Sequence, residues 1–294
     1  MKLLIFILIF STACEGQVIR ANPLYRPFAV GSSCSYLLDQ YSGATAAYSL
    51  RKLDCDYSGS AIRVRRSSDN TEQDIGFTSA GDLDTATLKT FVGTGGADDG
   101  FVVTWYDQSG NSNDATQSTA VNQPSIMDNG IILRAGANPT VYFNGSKAFS
   151  LTSTLAVNAD FSVFGVQARS TTSNSLFIFA NSGSGEPYNA LQFTDGNVYF
   201  TTNSAYVGGA DAVTGIRLFS SFRASSTLTL YRNGASVSGL SGAVSGSTTY
   251  NRIAVRNAVS FATGNISEAI YFNSDKSASR TGIESNINSY YTIY

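Results

Sequence analysis

The sequence predicts an all-β sandwich or jelly roll carrying two or three short peripheral helices. Short runs of β-branched and aromatic residues recur at about ten-residue spacing, each closed by Gly, Asn, Asp or Ser. No long helical period interrupts them. The composition agrees: 27 Gly, 16 Tyr and 18 Phe in 294 residues, with 43% hydrophobic and only 14% charged residues, against roughly 25% charged in an average soluble domain. The surface left over is rich in hydroxyls and amides.

At the N-terminus Lys2 precedes an apolar run from Leu3 to Phe10, followed by Ser11, Thr12, Ala13 and Cys14. This is the pattern of a secretory signal peptide over residues 1–16. The run is shorter than the roughly 20 residues a bilayer span needs. Two cleavage readings stay open: a lipobox that leaves Cys14 lipidated, or cleavage after Gly16 that leaves Gln17 first. A retained, buried N-terminal strand is a third. Export predicts an extracellular or cell-surface location. With Cys14 removed, Cys34 and Cys55 remain, a pair that an oxidising compartment joins as a disulfide; two separate thiols are the alternative. Residues 17–33 read as a lead-in without periodicity, and residues 34–294 as one domain.

Within that domain, Leu37 to Leu53 predicts a first helix, with Ala44, Ala46, Ala47, Leu50 and Leu53 on adjoining faces. Asp84 to Phe91 predicts a second, capped by Asp84 and ended by Gly93. Ala61 to Arg66 alternates apolar and basic residues as a half-buried strand does. Phe101 to Tyr106 is a strand closed by Asp107-Gln108-Ser109-Gly110-Asn111, where Asp107 predicts an Asx turn bonded to its own backbone. Val141 to Phe143 ends at Asn144-Gly145. Phe161 to Ala168 reads as buried on both faces. Leu191 to Phe193 and Val198 to Phe200 flank the hairpin signal Asp195-Gly196, and Leu228 to Arg232 runs into Asn233-Gly234. Ile266 to Phe272 is the last strand. Asp275 or Ser277 then caps a helix with Ile283, Ile287 and Tyr290 on one face and Glu284 on the polar side.

Several chemistries are excluded. The chain has no His, so a Ser-His-Asp triad, a Cys-His dyad and a His-ligated metal are absent, and three Cys cannot build an all-thiolate zinc site. A net charge of −2 without a basic patch argues against nucleic acid. Acid–base work falls to carboxylates, and Glu is scarce. Glu72 sits in a turn-like stretch, Glu268 in the last strand faces either way, and Glu186 in a Gly-Ser-Gly-Glu-Pro loop is the one placed for a site. No metal site is assigned; calcium through the oxygens of Asp98-Asp99 or Asp107 and Asp114 is the alternative. Trp105, Tyr106, Tyr188, Tyr206 and Tyr250, at strand ends or in loops, are candidates for stacking on sugar faces, with core or rim packing as the competing role.

Six blocks occur in one order: Ala46-Ala47-Tyr48-Ser49-Leu50-Arg51, Asp56-Tyr57-Ser58-Gly59, Arg63-Val64-Arg65-Arg66-Ser67-Ser68-Asp69, Asp74-Ile75-Gly76, Trp105-Tyr106-Asp107-Gln108-Ser109-Gly110-Asn111 and Gly264-Asn265-Ile266-Ser267-Glu268-Ala269-Ile270-Tyr271-Phe272. The set resembles the catalytic domain of the arabinofuranosidase B family, a concanavalin A-like jelly-roll sandwich. It is similar, more closely, to laminin-G-like modules of Bacteroidetes surface proteins and of bacteriophage structural proteins. The resemblance implies that the family's nucleophile, a Glu on a strand after a Pro-aromatic pair, falls in Pro187-Tyr188-Asn189-Ala190-Leu191-Gln192-Phe193-Thr194-Asp195. An ungapped match places Thr194 there and Gln192 at a supporting Asp. The family's acid/base Asp corresponds to Val255-Arg256-Asn257, and its adjacent-cysteine pair has no counterpart. The expectation is therefore an exported, non-catalytic module that binds a glycan or surface polysaccharide through Tyr188, Gln192, Thr194, Asp195, Arg256 and Asn257. One alternative is an α-L-arabinofuranosidase-like glycoside hydrolase using Asp195 and Glu186. The other is a structural adhesin of a phage particle or bacterial surface, packed against copies of itself or other surface proteins.

Overall fold

The strand Phe161–Arg169 is buried along its whole length, and its side chains alternate between two separate cores. Phe161 and Val163 enter one core, Phe164 and Val166 the other. That double burial, expected from the sequence, organises the molecule. The computed structural model describes residues 34–171, 175–176, 178–183, 191–192, 196–244, 246–256 and 260–294. The chain divides into a unit of residues 1–34 and a compact unit of residues 35–294. The expected signal peptide, Cys14 and the lead-in lie outside the described residues; Cys34 and Cys55 are both disulfide-bonded.

The described elements begin with α1 (Leu37–Gln40), β1 (Ala44–Ser49), β2 (Ile62–Arg66), β3 (Glu72–Ile75), α2 (Thr85–Val92) and β4 (Gly100–Trp105). Short strands follow: β5 (Ala115–Thr116), β6 (Ser125–Asp128), β7 (Ile131–Ile132), β8 (Arg134–Ala135), β9 (Asn138–Pro139) and β10 (Val141–Asn144). Then come β11 (Phe149–Ala156), β12 (Phe161–Arg169), β13 (Phe179–Ala180), β14 (Leu191–Gln192), β15 (Asn197–Thr201), β16 (Ala205–Ala210), β17 (Gly215–Ala224) and β18 (Thr227–Arg232). The last are β19 (Ala235–Val237), β20 (Leu240–Ala243), β21 (Thr249–Ile253), β22 (Val255–Arg256), β23 (Ser260–Phe261), β24 (Thr263–Phe272) and α3 (Arg280–Tyr291). Among the described residues the fold is all-β with three short α-helices. None of the described helices is long and apolar enough to cross a membrane.

The largest sheet runs β13-β21-β11-β5-β4-β6-β10-β24-β12-β17-β18-β19 and is antiparallel at each pairing. β24 is its hub. One edge pairs with β12 throughout; the other is shared by β10, against Ile266 and the residues before it, and β1, against Glu268 to Phe272. On one face of β1, β24, β12 and β17, residues such as Tyr48, Tyr271, Phe161 and Phe219 meet Trp105, Phe149, Phe179 and Tyr250. On the opposite face Ala47, Ile270, Phe164 and Leu218 meet Leu37, Leu38, Ile283, Ile287 and Tyr291 of α1 and α3. The result is sheet on sheet, with a helical layer over one outer face. A second sheet, β14-β15-β16-β20, carries the expected hairpin: Leu191 pairs with Tyr199 and Gln192 with Val198.

The first predicted helix is corrected. α1 stops at Gln40, and Ala44–Ser49 is a strand. Ala46 and Ala47 face opposite cores, so alanine here fits tight space on both faces rather than expressing helix propensity, which tertiary pairing overrides. The edge of β1 away from β24 is closed locally. The Ala47 N–H donates to Asp107 Oδ1 (2.8 Å), and the Gln108 N–H donates to the Ala47 carbonyl (2.8 Å). The second helix is as expected: Asp84 accepts the Thr87 N–H, and the Gly93 N–H closes the C-terminus on the Lys89 carbonyl. Glu72 opens β3 rather than sitting in a turn. α3 begins at Arg280, after a 3-10 turn at Ser277–Ser279; Asp275 accepts the Ser277 N–H (2.8 Å), but no side chain caps α3 itself. Tyr291, not Tyr290, is its buried aromatic. The β18–β19 turn has Asn233 and Gly234 both at positive φ, 51° and 77°, the geometry of a type I′ hairpin.

Candidate functional site

Of the six expected contact residues, Tyr188, Thr194, Asp195 and Asn257 lie outside the described residues, as does Glu186. Gln192 is the last residue of β14, in the second sheet, and Arg256 is half-buried in the β22–β23 ribbon, opposite Ser260. A cavity of about 200 Å³ adjoins the β22–β23 ribbon. It is lined by Gln117, Ala148, Phe149, Ser150, Ser182, Arg252, Val255 and Phe261. The sheet register builds it: Arg252 on β21 stands opposite Ser150 on β11 and Ala180 on β13. Ser182 follows β13 by two residues, and Val255 precedes Arg256. Phe149 belongs to the core; Phe261 is half-buried.

A second cavity, about 280 Å³, opens where two of the ordered sequence blocks meet. It is lined by Asp54, Asp56, Tyr57, Ser58 and Gly59 on one side and by Gln108, Ser109 and Gly110 on the other. The Tyr57 hydroxyl donates to the Ser60 carbonyl (2.8 Å), and burial, with Asp114 and Asp107 nearby, holds its pKa well above the usual tyrosine range. Asp54 accepts the Asp56 N–H (2.7 Å). Both acids leave one turn and share a wall, whereas a glycosidase sets its two carboxyls on opposite sides of the bond, about 5–9.5 Å apart.

The described carboxylates are largely committed to structure. Asp107 makes the predicted Asx turn: its oxygens accept from the N–H groups of Ala47, Ser109 and Asn113 and from the Ser109 hydroxyl. Asp114 accepts the Asp107 N–H (2.9 Å); burial raises its pKa, and the Asp107 charge adds to the rise while the N–H opposes it. Asp98 and Asp99 brace the Gly95 and Asn129 N–H groups. Glu72 and Asp74 face Arg63, Asp69 pairs with Arg66, and Asp211 with Arg232. Glu284, expected on the polar side of the last helix, is instead buried at 3% exposure and paired with Arg280 at 2.6 Å. Ser220 of β17 is packed against it, and burial raises its pKa.

Glu268 is fully buried. The register shift between Val166 and Gln167 leaves Ser267 without a partner on β12, a β-bulge. Glu268 follows on the face of Ile270 and Phe272, under α3. Arg51 holds it through Nε (2.8 Å) and Nη2 (3.0 Å), Ser49 donates at 2.8 Å, and the Tyr291 hydroxyl donates at 3.3 Å. Arg51 also donates to Asn286 of α3 and lies beneath the Tyr290 and Tyr291 rings. The sequence signal for this lock is a basic residue ending the Ala-Ala-Tyr-Ser-Leu-Arg block and an acid inside the last strand; the sequence does not show that they pair. The aromatic candidates are corrected in part. Trp105 and Tyr250 are fully buried core residues. Tyr106 donates to Asp74, and Tyr206 packs on Tyr199.

The match to known proteins follows this architecture. Residues 36–185 match the model of the α-L-arabinofuranosidase B catalytic family, just over half of the 294 residues. The chain belongs to that family. The matched region holds the Arg51 half of the lock, both walls of the second cavity and Ser182, and it ends before Gln192, Thr194 and Arg256. An arabinofuranosidase complexed with arabinofuranosyl-α-1,2-xylobiose has the same fold, with TM-score 0.57 and 15% identity over 83% of this chain. A GH54 α-L-arabinofuranosidase soaked with a cyclic sulfate inhibitor gives TM-score 0.59 and 16% identity, again over 83% of this chain. The chain spans 62% of the length of each of these arabinofuranosidases. No curated protein matches it in sequence.

Proposed function

We propose that this arabinofuranosidase B family member is an exported glycoside hydrolase of α-L-arabinofuranosidase type, acting on arabinofuranosyl groups of a polysaccharide. The family match across residues 36–185 carries the proposal. Hydrolysis with retention needs one carboxylate to attack the anomeric carbon and one carboxylic acid to protonate the leaving oxygen. The described acids are mostly spent on turns, caps and ion pairs. Glu186 and Asp195, which bracket the stretch Pro187 to Thr194, are the acids assigned to the reaction. Tyr188 supplies an apolar face for the sugar ring, and Gln192, Thr194, Arg256 and Asn257 supply hydrogen bonds to its hydroxyls.

Turnover of an aryl α-L-arabinofuranoside tests this. Wild-type protein releases the aryl alcohol, and Glu186→Gln and Asp195→Asn each lower kcat by about 10²–10⁴-fold, the range for a positioned acid or base. A second reading, binding without cleavage, draws on Thr194 and Gln192 standing where the family resemblance puts a nucleophile and its supporting acid. Arabinofuranosyl oligosaccharides retained with no turnover decide for it.

A further inference from the structure

We propose that the cavity around Arg252 is a subsite for a carboxylate-bearing sugar, a uronic acid of the glycan on which the protein works. The proposal rests on the carbohydrate reading above only for the molecule that carries the carboxylate. Four observations converge on it. Arg252 is half-buried, and among the described residues its side chain makes one hydrogen bond, from Nη1 to the carbonyl of its own neighbour Asn251 (3.1 Å). Among the described residues it forms no ion pair, whereas Arg51, Arg63, Arg66, Arg232 and Arg280 each have a carboxylate. The cavity it lines is walled by Phe149, Phe261, Ala148 and Val255, and no acid is among the described residues that line it. A guanidinium partly taken out of water beside apolar walls, without a counter-charge, is costly until an anion arrives.

The remaining polar groups sharpen the class of ligand. Gln117 is already committed on both sides: its Nε2 donates to the Ala148 carbonyl (2.8 Å), and its Oε1 accepts the Thr119 N–H (3.0 Å). Ser182 Oγ accepts from Asn251 Nδ2 (3.2 Å), which leaves its own proton to give. The Ser150 hydroxyl adds a further donor. The unspent side-chain capacity of the wall is thus weighted to donors. A neutral sugar hydroxyl brings a proton of its own that needs an acceptor; a carboxylate brings none. Arginine meets a carboxylate with two parallel N–H bonds, and the two serines serve the remaining lone pairs. The volume, about 200 Å³, suits a single sugar unit rather than the drug-sized ligands of 300–1,000 Å³ pockets.

The experiment compares a short uronic-acid oligosaccharide with its methyl ester, the same sugars without the charge, by calorimetric titration of the full chain. The acid form is expected to bind about ten- to a hundredfold more tightly, the worth of a hydrogen bond to a charged group. Arg252→Gln erases that preference, and Arg252→Lys keeps part of it, because an ammonium retains charge without the planar fork. Unchanged thermal unfolding of both variants shows that the fold is intact. Equal binding of the two forms, binding of neither, or a preference that survives in Arg252→Gln overturns the proposal. Inorganic sulfate or acetate displacing the oligosaccharide at equal concentration also overturns it, leaving a simple anion site. Wild-type turnover of the neutral aryl arabinofuranoside is read separately. Its loss with the acid preference intact sinks only the hydrolase reading; its presence with equal binding sinks only the uronate subsite.

Discussion

A carboxylate with no exposed surface has to be neutralised where it stands, and Glu268 is met by Ser49 at the end of β1, by Arg51 two residues beyond it and by Tyr291 of α3. Both oxygens are bonded to Arg51, and Ser49 and Tyr291 add donors. The lock joins three parts of the chain that lie far apart in sequence. Removing one partner strands the other as an unpaired buried charge, which costs about 3–5 kcal/mol. Glu268→Ala is therefore expected to lose that much in a urea unfolding titration. The double variant Arg51→Met with Glu268→Leu is expected to lose far less, since two apolar groups leave no orphaned charge. A double variant as unstable as the sum of its singles would show that the ion pair itself, not the avoidance of a lone charge, holds β24 to α3. None of this was legible beforehand. Sequence shows that Glu268 sits in a strand, but its facing depends on the bulge at Ser267, which has no local signature.

At the scale of elements, legibility followed periodicity. β12 was readable because continuous apolar residues bounded by turn signals mark a strand buried on both faces. β2, β4 and β24 were readable from β-rich composition, and α2 from its cap. β1 was not, because alanine belongs equally to a helix interior and to a crowded strand, and only the pairing with β24 decides. The position of Glu284 was missed for a related reason: Arg280 pairs with it within the helix at i,i+4, but that the pair lies on the inner face against Ser220 of β17 is set by packing. The candidate contacts depended on a family resemblance more than on pattern, since loops carry no period. α2 offers the cleanest test at this scale. Asp84 Oδ1 accepts the Thr87 N–H (2.9 Å) and Oδ2 the Thr87 hydroxyl (2.7 Å), and the main-chain bond, then the hydroxyl, hold its pKa below the ordinary aspartate value of 3.8. A depressed carboxylate binds fewer protons folded than unfolded, so its contribution is present above the unfolded pKa and fades as pH falls through the folded one. Asp84→Ala is expected to cost about 1 kcal/mol at neutral pH. The gap from wild type should narrow below about pH 4; a gap constant across that range would mean that the charge plays no part.

For the molecule as a whole, the two cores are not independent. Successive residues of one strand serve different cores: in β12, Phe161 and Val163 lie with Trp105 and Phe179, while Phe164 and Val166 lie with Ile283 and Ile287. β1, β17 and β24 are shared in the same way. Loss of either core frees the strands that form the floor of the other, and α3 has no apolar partner once that face opens. Chains beyond 150 residues commonly unfold through intermediates, yet this sharing predicts a single transition for residues 35–294. Phe161→Ala and Phe164→Ala, one in each core, are each expected to cost about 3–5 kcal/mol. Both should shift the same calorimetric peak, and near- and far-ultraviolet circular dichroism should follow it together. A Phe164→Ala protein that first loses helix signal alone, in a separate earlier step, would show that the α1–α3 layer is an appendage rather than half of one cooperative structure. The distinction bears on function. Arg252 and Ser150 face their cavity from β21 and β11, strands of the same continuous sheet. If that sheet melts only as a unit, the positions of the cavity's donors are as stable as the whole fold.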